Sequence, residues 1–350
     1  MTSAAAAGLD TDLIVVGGGP VGLGTAIEAA LAGMTVTVIE RRGATVDKAC
    51  GEGLMPPARQ ALARLGVEPA GRQFHGIRYL TPSARAEARF RAGPGVGVRR
   101  TVLSAALSAR AAEVGVTRVE AVAGPPAQGD GWVQVSGIRG RWLVAADGLH
   151  SPIRRSSGLD RPAAGPPRYG QRRHYRVAAW SDLVEVHWSA TCEAYVTPVG
   201  DDLVGVAVLA GRTGPRARDD DWLAGFPLLA RRLAGAQPVG GVLGAGPLRQ
   251  RSTRRVSGRV LLAGDAAGYV DALTGEGIAV GLLGARELVR CLVEDRPQDY
   301  EAAWRRASRQ YRALTAGLLW ASRRPLLRRA LVPASARLPA VFGAVVNRLA

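Results

Sequence analysis

The stretch that decides the fold is DLIVVGGGPVGLGTAIEAALAGMTVTVIERR, residues 12–42. An apolar strand over 13–16 runs into a glycine-rich turn, a helix over 21–32 follows, and Gly33 precedes a second strand that ends at Glu40. This order of extended, helical and extended periodicity predicts a βαβ unit, in which a crossover helix joins two parallel strands.

The turn of this unit carries three glycines at G-x-G-x-x-G spacing. In such a unit the glycines allow a tight turn, a close approach of the backbone to a pyrophosphate and close packing of helix against strand. The helix N-terminus faces the phosphates, and the acid at the end of the second strand accepts a hydrogen bond from a ribose hydroxyl. The predicted dinucleotide contacts are Gly17, Gly19, Pro20, Val21, Gly22, Glu40 and Arg41.

Length and composition restrict the class of protein. With 350 residues, 47% of them hydrophobic, the chain is long enough for two domains or one large composite domain. The first residues lack the basic start and apolar segment of a secretory signal, and no uncharged apolar run reaches the roughly 18 residues of a membrane span. We therefore expect a cytoplasmic protein, with Cys50, Cys192 and Cys291 as reduced thiols.

The formal net charge of +17 raises the question of nucleic-acid binding. Of the 46 basic residues, only Lys48 is a lysine, and the arginines are scattered along the chain. No basic stretch interleaved with aromatic residues resembles a nucleic-acid-binding module, so we expect no nucleic-acid partner. The four histidines lack the spacing of a metal site, and no metal is predicted.

Two later motifs name a family. LVAADGLHSPIRR, residues 143–155, and LLAGDAAGYVDALTGEGIA, residues 261–279, each place an acid directly after an apolar strand. Together with the βαβ unit, in this order, they resemble the FAD-dependent monooxygenase superfamily, which is built on the aromatic hydroxylase fold. The geranylgeranyl reductases are another branch of that superfamily. The resemblance implies an α/β fold, with a Rossmann-like FAD-binding domain, a second, β-rich substrate domain and a helical C-terminus.

The resemblance also implies roles for single residues. The aspartate after Gly264 would bind a ribityl hydroxyl of FAD, and the helix that follows would point its N-terminus at the flavin pyrimidine edge. The Asp-Gly pair would orient the pyrophosphate region and the nicotinamide approach. Arg100, at the start of the amphipathic helix predicted within residues 99–115, would reach a phosphate or ribityl oxygen, and Val122, on the strand after that helix, would contact adenine. The full set of residues that the resemblance implies for FAD is Arg100, Val122, Asp147, Gly148, Gly264, Asp265, Gly275, Gly277 and Ile278. Helix capping by Asp265, a surface turn at Asp147 and a solvated Arg100 stay open as alternatives.

A cysteine is the catalytic candidate. Cys50, in DKACGEGLMPPARQALARLG at residues 47–66, resembles the cysteine-glycine loop near the flavin in the geranylgeranyl reductase branch. We expect Lys48 to lower the pKa of this thiol. The alternative is a tight turn with an inert buried cysteine.

The substrate strand separates the possible reactions. Isoprenoid reductases carry Y-x-W-x-F-P there, whereas this chain has Glu193, Tyr195 and Thr197 before Pro198, which predicts a degraded aromatic wall with a polar group toward the pocket. Hydroxylation of a hydrophobic, aromatic or polyketide-like small molecule is therefore favoured. Ene-reduction of an isoprenoid or lipid is one alternative, and a flavin-binding, redox-responsive protein without turnover is another. The W-x-W-x-I-P segment of halogenases is absent.

NAD(P)H is expected to bind only transiently, as a reductant, because the sequence holds no second nucleotide-binding βαβ unit. The helical C-terminal region has an apolar stripe that would pack on the flavin domain, while Trp320, Arg323, Arg324, Arg328 and Arg329 leave a peripheral membrane contact as an alternative. The sequence does not indicate which oligomeric state the protein adopts.

The motifs also predict the domain bounds. Residues 1–75, 100–165 and 254–325 form the split FAD-binding domain, residues 76–99 and 166–253 form the substrate domain, and residues 326–350 form a helical C-terminal tail.

Overall fold

The computed structural model describes residues 8–43, 45–212, 214 and 222–349. Among these residues the strands, in chain order, are β1 (Thr11–Val16), β2 (Val36–Glu40), β3 (Gly53–Leu54), β4 (Arg72–Phe74), β5 (Gly76–Leu80), β6 (Arg85–Arg89), β7 (Gly95–Gly97), β8 (Thr117–Glu120), β9 (Ala127–Gly129), β10 (Trp132–Val135), β11 (Ile138–Ala145), β12 (Asp160–Arg161), β13 (Arg168–Arg176), β14 (Val184–Trp188), β15 (Glu193–Pro198), β16 (Leu203–Gly211), β17 (Gln237–Ala245), β18 (Arg251–Ser252), β19 (Val256–Ser257) and β20 (Val260–Leu262). The helices are α1 (Pro20–Leu31), α2 (Pro56–Arg64), α3 (Arg100–Glu113), α4 (Pro152–Ser156), α5 (Pro227–Arg232), α6 (Gly277–Val293), α7 (Tyr300–Ser322), α8 (Pro325–Arg337) and α9 (Pro339–Leu349).

The first sheet is the one predicted from the glycine turn. Its main order is β19-β20-β11-β1-β2-β8, and the pairs β20-β11, β11-β1, β1-β2 and β2-β8 are parallel. Every residue of β1 and β2 is buried, because helices cover parallel sheets on their faces and leave no polar side for alternation. Helices α1, α3 and α6 supply side chains to this core.

The strand order creates a place for a ligand. The chain passes from β1 to β2 on one side, and β11 then pairs with β1 on the other side. Ligands bind outside the carboxyl ends of the strands where the order reverses in this way. The segments that follow β1, β11 and β20 therefore meet at one edge of the sheet.

The second sheet has seven strands in the order β17-β13-β16-β15-β14-β5-β6, and all pairs except β14-β5 are antiparallel. One side buries Trp222, Phe226 and Leu229. The other side meets the C-terminal helices, where Leu319 of α7 and Val332 of α8 join the core. The α/β class with a second, β-rich unit and a helical C-terminus is confirmed.

The C-terminal helices α8 and α9 continue this packing. Phe342 of α9 lies against Tyr79 of β5, with 4.9 Å between the ring centroids. In the part of the chain that the structure describes, no single helix is long and apolar enough to cross a membrane. Helices α8 and α9, bent by 103° at their junction, pass that length and composition test only as a pair.

Some predicted details differ. Strand β8 ends at Glu120, so Val122 lies beyond the strand on which we placed it, with 76% of its surface exposed. The chain there leaves the sheet before the apolar periodicity ends, since Ala121 is the last residue to donate to a β2 carbonyl. The predicted domain bounds stay a prediction.

Candidate active site

A cavity of about 730 Å³ lies at the carboxyl ends of β1, β11 and β20 and extends to helices α8 and α9. Its wall brings together residues that are far apart in the sequence. The predicted site residues in the wall are Gly19, Pro20, Val21, Cys50, Arg100, Gly148, Gly264, Asp265, Gly275, Gly277 and Ile278. Those outside it are Gly17, Gly22, Glu40, Arg41, Val122 and Asp147.

The glycine turn has the shape that phosphate binding requires. Gly17 has φ +110°, and a Cβ there would collide with the carbonyl oxygen of Ala146; a Cβ on Gly22 would collide with that of Gly17. Gly19 differs, because a Cβ there would meet only the Arg100 guanidinium, at 3.8 Å. Two glycines therefore permit the turn, and the third leaves open space in front of a cation.

Glu40 is held as a charged acceptor at the end of β2. Its Oε2 accepts the Gly18 N–H at 2.8 Å, and its Oε1 accepts the Arg42 N–H at 3.2 Å. Burial opposes ionisation of this carboxyl, but the hydrogen bonds from Gly18 and Arg42 outweigh it and lower the pKa. The adjacent Arg41 is exposed, and no hydrogen bond or ion pair of its side chain is found among the described residues.

Arg100 opens α3 and is buried, yet its charge is poorly compensated. Its backbone N–H donates to Glu52 Oε1 at 2.9 Å, while its side-chain Nε has no hydrogen-bond partner among the described residues. Burial lowers the pKa of the guanidinium, against the attraction of Asp265 and other acids. A buried donor beside the Gly19 turn fits a ligand phosphate, because an unsatisfied buried N–H is costly.

Asp265 lies in the turn directly after β20. Its carboxylate makes no hydrogen bond within the described residues, and burial raises its pKa against the opposing charges of Lys48, Arg100 and Arg154. The carboxylate is therefore free to accept from a ligand hydroxyl, as the resemblance implies. Helix capping does not explain it, since neither this turn nor α6 has a side-chain cap.

Asp147 stabilises the turn that leads into α4, a role that the sequence left open as the alternative to cofactor binding. Its Oδ2 accepts the Ile153 N–H at 3.2 Å near the start of α4, and its Oδ1 has no partner among the described residues. Burial raises its pKa, and the hydrogen bonds from Ser151 and Ile153 oppose this rise. Its role toward the pyrophosphate and the nicotinamide stays a prediction.

The start of α6 faces the cavity through glycines. Gly275 has φ +73°, a conformation that glycine adopts without strain, and no atom lies within 4 Å of a Cβ placed there. Between Gly275 and Gly277, Glu276 is buried, and burial raises its pKa to about 8. This acid is largely neutral at pH 7, so it does not cancel the positive end of the α6 dipole.

The thiol of Cys50 lies on the cavity wall and accepts the Glu52 N–H at 3.4 Å. Burial raises its pKa, although Arg100 opposes this effect. The predicted lowering of this pKa by Lys48 is therefore wrong: loss of solvation outweighs the nearby cations. The thiol holds its proton at neutral pH.

Sequence reasoning missed a buried network behind this loop. Arg172 donates to His174 Nδ1 at 2.8 Å, which leaves the histidine's proton on Nε2, 2.6 Å from Glu52 Oε2. Glu52 itself has φ +58°. A non-glycine residue in this left-handed conformation is held by its contacts. His174 and Arg172 come from β13, and no local signal in the loop sequence points to them.

Glu193 is not in the cavity wall, contrary to the prediction. Its carboxylate is fully buried between Arg168 of β13 and Arg328 of α8, which donates to it at 2.5 Å. Tyr195 and Thr197 do line the cavity. Arg328 is also buried, so this residue is not available for the membrane contact that we considered.

Comparison with known proteins identifies the family. The model of the FAD binding domain family matches residues 10–193. The chain belongs to that family. It is an FAD-dependent oxidoreductase of the monooxygenase superfamily, with features of the geranylgeranyl reductase branch. The glycine turn, the uncompensated Arg100 and the free Asp265 carboxylate of this flavoprotein fit FAD.

Curated relatives of the flavoprotein include lipid reductases. Digeranylgeranylglycerophospholipid reductase 2 of Methanosphaera stadtmanae is 30% identical over 77% of this chain and 74% of the relative. Menaquinone reductase of Mycolicibacterium smegmatis is 28% identical over 84% of this chain and 79% of the relative. A triple mutant of the flavin-dependent brominase Bmp2 has the same fold, with a TM-score of 0.79 and 18% identity over 97% of this chain and 94% of that one.

Replacement of Asp265 by alanine is expected to weaken FAD binding by about one to two decades in Kd, because a charge-assisted hydrogen bond contributes roughly 1.5–3 kcal/mol. The carboxylate has no protein hydrogen bond to lose, so the variant should keep its fold. Fluorescence titration of the apoprotein with FAD measures the Kd. The Asp265→Asn variant, which retains the shape of the side chain, should have a Kd between those of the wild type and Asp265→Ala. Equal FAD affinity in a folded Asp265→Ala protein would refute the assignment.

Proposed function

We propose that this flavoprotein reduces carbon–carbon double bonds of an isoprenoid or lipid, with NAD(P)H as the transient reductant. The observation that carries the proposal is the position of the Cys50 thiol on the wall of a long apolar cavity. FAD, when bound and reduced, supplies the hydride. Addition of hydrogen across a double bond also needs a proton, which the chain itself must provide.

The thiol of Cys50 can provide that proton. Its raised pKa keeps it neutral, and a neutral acid at the substrate is what a general acid requires. The Sγ proton would go to one carbon of the double bond, and the thiolate would then take a proton from solvent. Arg100, which favours the ionised thiol, would stabilise the thiolate that remains.

The shape of the cavity supports a long apolar substrate. From the Cys50 loop the wall continues past Tyr79, Val186 and Leu209 of the second sheet to α8 and α9. Apolar side chains on those helices line the cavity and are also exposed at its mouth: Leu327 (40%), Leu338 (56%), Val341 (57%) and Val345 (42%). An extended chain that entered between the helices would meet apolar surface as far as the thiol.

Hydroxylation loses part of its support. We favoured it because Glu193, Tyr195 and Thr197 replace the aromatic wall of isoprenoid reductases and because a polar group was expected toward the pocket. Glu193 is buried outside the cavity. Thr197 lines the cavity, but its hydroxyl donates to the Gly51 carbonyl at 2.7 Å and so holds the cysteine loop. The Tyr195 hydroxyl likewise donates to the Leu273 carbonyl at 2.8 Å.

The proposal is tested by anaerobic turnover. FAD-loaded protein, NADPH or NADH, and either digeranylgeranylglycerophospholipid or menaquinone in phosphatidylglycerol vesicles are combined, and products are analysed by mass spectrometry. We expect the mass of two hydrogens to be gained per saturated bond. Vesicles suit the exposed apolar mouth and the arginines near it.

Hydroxylation stays the second candidate, because the family includes monooxygenases. A product formed only under air, with one oxygen atom from ¹⁸O₂ and no saturated species, would overturn the reductase proposal. Flavin binding without NAD(P)H oxidation in the presence of any of these lipids would favour a binding protein without turnover.

A further inference from the structure

A second cavity, of about 560 Å³, lies between the segment around β18 and helices α6 and α7. Several arginines line this cavity, and they come from two parts of the chain: the segment around β18 and helix α7. We call it the arginine cavity; the arginines that concern us are Arg249, Arg251, Arg255, Arg305, Arg309 and Arg312. Nothing in the proposed reduction uses them.

The positive charge of the arginine cavity is weakly compensated. Glu301 serves two of the arginines at once, since its Oε1 lies 2.9 Å from both Arg255 Nη1 and Arg305 Nε. No described carboxylate is within ion-pair distance of Arg312. Burial lowers the pKa of Arg312, and repulsion from Arg255, Arg305 and their neighbours lowers it further. Arg255 and Arg312 both stack on the Trp304 ring, but Arg312 has no counter-ion among the described residues.

A buried hydroxyl points to a ligand. Ser308 of α7 lines the arginine cavity and is 1% exposed, yet its Oγ has no hydrogen-bond partner among the described residues. Buried hydroxyls are normally hydrogen-bonded, and a helical serine usually has a carbonyl one turn earlier within reach. An oxygen-rich anion in the cavity would accept this proton together with those of the guanidinium groups.

The arginine cavity adjoins the flavin cavity. Gly264, Asp265, Tyr269 and Gly277 belong to the walls of both. One loop, which runs from the end of β20 to the start of α6, therefore separates them. A ligand bound behind this loop lies next to the residues that we assign to FAD.

We propose that the arginine cavity binds a phosphate-bearing ligand, with a pyrophosphate or a phosphomonoester as the group recognised. Arginine matches phosphate with paired N–H donors in a planar fork, and several arginines can share the oxygens of two adjacent phosphates. Two sources carry this chemistry. One is the nicotinamide dinucleotide, an identification that rests on the proposed function; the other is a phospholipid headgroup.

The test uses the FAD-loaded protein and inorganic pyrophosphate, measured by titration calorimetry at low and moderate salt. We expect saturable binding that weakens at least tenfold in Arg251→Gln/Arg312→Gln and a few-fold in Ser308→Ala. Arg286→Gln is the matched control, because Arg286 is an exposed arginine of α6 outside the cavity. Melting temperatures establish that each variant is folded. Absence of binding, or equal losses in the control, would overturn the proposal.

Two further measurements distinguish the sources. If the dinucleotide binds here, the double variant raises the KM for NADPH at least tenfold and leaves turnover with dithionite unchanged. If a headgroup binds here, glycerol phosphate competes with pyrophosphate while the KM for NADPH stays constant. The calorimetric result needs no turnover, so failure of the proposed reduction would leave it standing.

Discussion

Replacement of Cys50 by alanine is expected to lower the rate of alkene reduction by about 10² to 10⁴, the usual contribution of a positioned general acid. The variant removes the proton at Sγ and leaves the FAD contacts in place. Steady-state rates of saturated-product formation measure the loss, and FAD titration should give an unchanged Kd. In the wild type the rate should also fall at high pH as the thiol ionises. Ionisation of Glu276, with a pKa of about 8, is common to both proteins, so the difference between their pH profiles reports the thiol.

The matched control is Cys291→Ala, which removes a buried cysteine of α6 that is not part of the cavity wall. It should change the rate by less than about tenfold, since it touches no reacting group. A Cys50→Ala protein that retained its reductase rate within the same limit would remove the thiol from the mechanism. Retention together with ¹⁸O in the product would instead favour hydroxylation.

Replacement of Glu193 by alanine is expected to lower the free energy of unfolding by about 3–5 kcal/mol, because it leaves the buried Arg328 without an acidic partner among the described residues. Arg168 is less buried and keeps Asp271 within 3.7 Å. Arg168 and Arg328 converge on this carboxylate from β13 and α8. Arg328 also donates to the Ser189 and Cys192 carbonyls, so α8 is fixed to the strand through one guanidinium. Urea unfolding of the FAD-loaded protein measures the change.

Glu294→Ala is the surface control for this prediction. Glu294 pairs with Arg290 at 2.8 Å on an exposed part of the chain, where an ion pair contributes about 0–1 kcal/mol. Glu193→Gln should lie between the two, as it keeps the shape and loses the charge. Equal unfolding free energies for Glu193→Ala and Glu294→Ala would show that the buried carboxylate does not anchor α8.

The sequence predicted the parts of the site whose signals are local. Gly17, Gly19 and Gly22 act within one turn, and Asp265 directly follows the strand that presents it. The spacing of these residues is enough to predict their relative positions, because the residues of a strand–turn–helix segment are neighbours in space as well as in sequence.

The parts that the sequence could not predict depend on distant partners. Alternation along β15 placed Glu193, Tyr195 and Thr197 on one face, but not the arginine of α8 that covers Glu193. The pKa of Cys50 was predicted from its neighbour Lys48, whereas burial by the assembled fold decides its direction. His174 contacts Glu52 from a strand of the second sheet, and no sequence pattern in either segment predicts this contact.

The order in which the chain contributes to the cofactor cleft has a consequence for biosynthesis. β1 and its glycine turn leave the ribosome more than 200 residues before Asp265 and the start of α6. A nascent polypeptide that ends before residue 265 lacks the groups assigned to the ribityl chain and the flavin edge. FAD should therefore load only after the segment from Asp265 to the start of α6 has emerged, and until then the apolar edge of the first sheet is exposed in a partly synthesised chain.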